Sequence, residues 1–82
     1  MITAKVSGRA GLPISVELAN QAYVYLMDES NHRSFQNSRN GRGTGGWYVE
    51  SPAQFVKPDG NDWYVVIYDR NNGHPAYKIT TG

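Results

Sequence analysis

The chain has 82 residues, 8 basic against 7 acidic, a formal net charge of +1 and no cysteine. That length fits one domain, residues 1–82, with a thin core, because a chain this short buries only about 60–65% of the surface it exposes when unfolded. The charge balance excludes the global field that drives binding to duplex DNA or an anionic membrane, and the missing cysteines exclude a disulfide framework or a Cys-ligated zinc.

Met1 to Val6 lacks the apolar core of a signal peptide, and the longest apolar run, Val65-Val66-Ile67, is far short of a membrane span. The expectation is a soluble, cytoplasmic protein. No window repeats apolar residues at helical spacing beyond two turns, whereas short Val/Ile/Tyr runs alternate with glycine and proline, so the chain reads as all-β.

Ile2 to Val6 places Ile2, Ala4 and Val6 on one face of a first strand. Ile14, Val16 and Leu18 alternate with Ser15, Glu17 and Ala19, the period of a half-buried strand, and Asn20-Gln21 marks a turn. Ala22 to Met27 is apolar on both faces and reads as central, with Tyr23, Tyr25 and Met27 opposite Ala22, Val24 and Leu26. Asp28 to Asn31 ends it, and residues 31–37 hold at most one helical turn, with Ser30 or Asn31 as N-cap and Phe35 as anchor. Trp47 to Val49 and Ala53 to Val56 are two short strands around Ser51-Pro52, where Pro52 belongs at a strand start or edge. Lys57 to Asp62 is a turn. Trp63 to Tyr68 is the best central strand, and Asp69 to Gly73 reads as a hairpin turn into a returning strand, Pro75 to Thr80. About seven short strands predict a small antiparallel β-sandwich or partly open barrel.

The segment Ser38 to Tyr48 stands apart, because folding alone does not require its composition. Arg39 and Arg42 offer guanidiniums able to hold phosphate or carboxylate bidentately, and Gly43, Thr44, Gly45 and Gly46 offer unobstructed backbone amides. Trp47 and Tyr48 can stack on a base or ribose. The segment is not a P-loop, since no Gly-Lys-Ser/Thr ending or helix follows. Read as structure alone, it is a flexible connector with solvated arginines.

Other chemistry is weakly signalled. His32 and His74 lie in separate segments without a metal-ligand spacing, no serine has an elbow context, and adjacent Asp28 and Glu29 point apart and more often cap a helix. Neither metal nor cofactor is expected, and the chain is not expected to be an enzyme. Near-neutral charge argues against nucleic acid.

Leu26 to Asn31, followed by Phe35, Arg39, Arg42, Gly45-Gly46, Ser51-Pro52, Pro58 and Trp63 to Ile67, resembles a bacterial family catalogued as domain of unknown function 1883, from about Gly11 to Thr80. Within it this chain departs at His32, Gly43 and Thr44, where aromatic residues are usual, and at Tyr68, where Asp is usual. The resemblance implies a small β-sandwich and an association with TIR domains in bacterial defence. It thereby implies a nucleotide-derived ligand of the ADP-ribose type, held by the segment above together with Asn31 and His32, in a sponge or sensor. A domain this thin buries a ligand more easily between subunits, so a homo-oligomer is expected. The alternative is a protein-interaction or oligomerisation domain without a small ligand.

Overall fold

The computed structural model describes residues 1–38, 40–71 and 75–82. Seven strands and one helix follow in the order β1 (Ile2–Val6), β2 (Pro13–Leu18), β3 (Ala22–Asp28), α1 (Glu29–Ser38), β4 (Thr44–Tyr48), β5 (Ala53–Val56), β6 (Trp63–Tyr68) and β7 (Tyr77–Thr81). They form two antiparallel sheets, β1-β6-β3-β4 and β5-β2-β7, as an open sandwich. The all-β expectation holds, with no closed barrel.

Strand period decides which side chains meet. Residues Ile2, Ala4 and Val6 pair opposite Ile67, Val65 and Trp63, and Val24 and Leu26 lie opposite Ile67 and Val65, so one face of the first sheet is continuously apolar. Ile14, Val16, Ala53 and Phe55 close on it from the second sheet, and all four are buried. Each fully buried aliphatic side chain contributes about 1.5–3 kcal/mol over its exposed state. A smaller cluster, Met27, Val66 and Phe35, lies on the other face under α1, which makes β3 and β6 buried on both sides.

The helix is longer than the single turn expected over residues 31–37. Asp28, not Ser30 or Asn31, is its N-cap: the Asp28 carboxylate accepts the Asn31 N–H at 2.8 Å. Glu29 occupies the first turn and meets Arg33 at 3.3 Å one turn on. Only His32 and Phe35 are buried, a contact too narrow to stand out as helical periodicity in the sequence.

The expected hairpin from Trp63 to Thr80 does not form. β6 belongs to the four-stranded sheet, whereas β7 crosses to the other sheet and pairs with β2, Val16 opposite Ile79. Asn72 and Gly73 of the expected turn lie outside the described residues, and Asn71 donates its N–H to Asp69 at 2.9 Å. Pro52 does precede edge strand β5, as its missing amide hydrogen requires.

The sequence offers no sign that Lys57 is buried, yet it is 1% exposed. Its ammonium donates to the carbonyls of Asp59, at 2.8 Å, and Asn61, while its backbone bonds Gly11 and Leu12. The Trp63 indole N–H at 2.8 Å holds the Asp59 carboxyl below its ordinary range, and the Ser7 hydroxyl at 2.7 Å does so for Asp62. Both carboxylates favour the folded state above the ordinary value of 3.8, and that contribution disappears as pH falls through the depressed values.

Candidate functional site

On the outer face of the four-stranded sheet, alternate residues of β3 and β6 present Tyr23, Tyr25, Tyr64 and Tyr68. Tyr23 stacks on Tyr68 at 4.9 Å and meets Trp47 of β4 edge-on at 4.8 Å. Tyr25 lies 6.3 Å from Tyr68, and the Phe35 ring from α1 lies 6.0 Å from it. The Arg70 guanidinium sits 4.7 Å above the Trp47 ring. The result is a half-buried aromatic platform with a cation at one margin.

The segment between α1 and β4 closes the opposite margin. The side chain of Asn31 accepts the Arg42 backbone N–H at 3.1 Å and donates its own amide to Asp28 at 3.0 Å, so Asp28, which caps α1, helps through Asn31 to seat Arg42. No ion pair holds the Arg42 guanidinium among the described residues. Between this segment and the platform lies a hollow of about 440 Å³ walled by Tyr25, Phe35, Gly41, Arg42, Gly43 and Tyr68. A second hollow of about 270 Å³ lies across Arg42, beside Asp28, Asn31, Thr44 and Trp63. Another hollow, about 600 Å³, lies at the sandwich end among Ile14, Leu26, Phe55, Val56 and Pro58. No charged side chain lines it, so nothing there would pair with an anionic ligand.

Arg42 and Gly43 therefore border the aromatic hollow, with Asn31 as positioning residue. Arg39 lies outside the described residues. Thr44, Gly45 and Gly46 are not part of a loop: they form the start of β4, opposite Leu26, Tyr25 and Val24, and the missing side chain of Gly45 lets the backbone lie close to β3. Trp47 and Tyr48 do not share a ligand face. Successive strand residues point to opposite sides, so Trp47 joins the platform while Tyr48 packs edge-on against Phe55 in the core at 5.9 Å. The sequence reading overlooked Arg70, which no local pattern links to Trp47, whereas strand alternation puts Tyr23 and Tyr25 on one face and the pairing of β3 with β6 brings Tyr64 and Tyr68 to it.

His32 is a packing residue rather than a wall of the hollow. Its ring lies flat on Tyr64 at 4.2 Å, it is 7% exposed, and its buried Nε2 has no hydrogen-bond partner. Burial lowers its pKa from the ordinary 6.5. The unfolded chain therefore takes up a proton near 6.5 that the folded chain resists, and stability falls as pH drops below that value. We expect His32→Phe, which keeps the stack, to flatten this dependence in melting curves taken between about pH 8 and about pH 5. An unchanged slope would overturn the assignment.

Among the described residues no group of three or more His, Cys, Asp or Glu side chains gathers as a metal site. Among the same residues no helix is long and apolar enough to cross a membrane. No match was found among the curated proteins or the solved structures. The family model described as Domain of unknown function (DUF1883) matches residues 5–80, and the chain belongs to that family.

Proposed function

We propose that the protein is a non-enzymatic binding module for a small anionic, nucleotide-derived ligand of the ADP-ribose type. The observation that carries this reading is the hollow between the Tyr25 and Tyr68 rings and the Arg42 segment. Its volume of about 440 Å³ lies within the usual range for small-molecule sites. Tyrosine faces accept a base, and an arginine without an ion-pair partner accepts a phosphate. Binding without turnover suits a sponge or a sensor in phage–bacterial defence, and a second copy of the chain would cover the open side of so shallow a hollow.

Thermal shift and calorimetry with NAD, ADP-ribose, its cyclic isomers and pyrophosphate test the reading, since a ligand of the folded state raises stability by RT ln(1 + [L]/Kd). Arg42→Ala is expected to weaken the best of these ligands by roughly 30-fold, about 2 kcal/mol for a charge-assisted contact, with the melting temperature of the free protein unchanged. A flat response to the whole panel would sink the proposal. The second reading, protein interaction or oligomerisation, draws support from four edge strands, β1, β4, β5 and β7, that the open sandwich leaves at its margins.

A further inference from the structure

We propose that Asn40 is a self-modification site, where spontaneous deamidation through Gly41 replaces a neutral amide by a carboxylate beside Arg42. Asn40 is exposed in the irregular segment between α1 and β4. Among the described residues no hydrogen bond occupies its side-chain amide or the Gly41 N–H. At position 41 an added Cβ would lie 2.0 Å from the Asn31 carbonyl oxygen and 2.7 Å from the Phe35 Cβ. Only glycine fits there, so the packing that seats Arg42 against α1 imposes the one following residue that leaves the asparagine side chain open to attack.

The chemistry needs only water and its base. The Gly41 nitrogen, losing its proton to solvent, attacks Asn40 Cγ. A C–N bond forms, the bond from Cγ to Nδ2 breaks, and ammonia leaves a cyclic imide. Water then opens the imide at Cγ to give aspartate, or at the main-chain carbonyl to give isoaspartate. Either product carries one added negative charge. Isoaspartate also lengthens the main chain by a methylene in a stretch held at Gly41 by close packing and at Arg42 by the 3.1 Å bond to Asn31. We expect both changes to oppose an anion at Arg42; that consequence rests on the binding proposed above, whereas the modification itself does not.

The test is to age the full chain at mildly alkaline pH, folded and in urea, and to map it with chymotrypsin. Cleavage after Phe35 and Trp47 releases residues 36–47, in which fragmentation separates Asn40 from Asn37, and cleavage after Tyr68 and Tyr77 releases the peptide with Asn72-Gly73, the other Asn-Gly pair of the sequence. The expected result is the amide-to-acid mass gain and an isoaspartate signal at Asn40 in the folded chain as well as in urea, with Asn31 and Asn37 unchanged in the folded chain. Conversion in urea with Asn40 intact in the folded chain would overturn the proposal. In calorimetry with ADP-ribose and pyrophosphate, aged protein and Asn40→Asp should bind roughly fivefold or more weakly than fresh protein, and aged Asn40→Ser should bind like fresh. Equal binding by fresh and aged protein would overturn the charge effect. Conversion with no binding by any of these samples would leave the modification standing and remove the binding reading instead.

Discussion

Replacing Gly45 by Ala is expected to destabilise the protein by about 4 kcal/mol and lower its melting temperature on the order of 20 °C. Gly45 has φ +138°, and a Cβ built there would lie 2.0 Å from the Val24 carbonyl oxygen. A flexible side chain cannot relieve that contact, since both partners are backbone of a central strand and its neighbour. β4 must move off β3 and lose ladder hydrogen bonds, or β3 must distort above the core. Position 46 is the internal control: an added Cβ meets nothing within 4 Å, so Gly46→Ala bears backbone strain alone, about 1 kcal/mol. Thermal and urea melts of the two variants check this, and a Gly45→Ala protein as stable as the parent would remove the close approach of β4.

The second large effect is expected at Lys57. Lys57→Met keeps most of the buried stem but removes the ammonium that ties the Asp59 and Asn61 carbonyls, at an expected cost of about 1–3 kcal/mol. Lys57→Ala also removes the stem and leaves a void beneath the turn, for a total of about 3–5 kcal/mol. The ordering, parent above Met above Ala in urea midpoint, is the diagnostic result. Equal stability of all three would mean that the lysine is solvated and the turn holds itself. For a domain of this size either loss is a large part of the total.

The alternation in Ile2 to Val6, Ile14 to Leu18, Ala22 to Met27 and Trp63 to Tyr68 made most of the core legible in advance, because a period of two assigns faces without knowledge of the partner strand. It also placed Tyr23 and Tyr25 together on the face away from that core. Two local readings failed for a shared reason. Asp69 to Gly73 has turn composition, but composition does not say whether the next strand returns to the same sheet. Thr44 to Gly46 has loop composition, but Gly45 serves a close strand pairing with β3. Helix α1 was foreseen only in part, since ten residues with two buried side chains carry a faint pattern.

By itself, then, the sequence determined the all-β class, most strand positions and the inward and outward sets, all of which follow from chain-local sterics and period. The tertiary structure decided which strands are neighbours, that Tyr48 turns to the core while Trp47 joins Arg70, that Lys57 is buried, and that Asn31 seats Arg42. Those outcomes depend on contacts between segments far apart in the chain, where closure of the two sheets selects partners that no local pattern encodes.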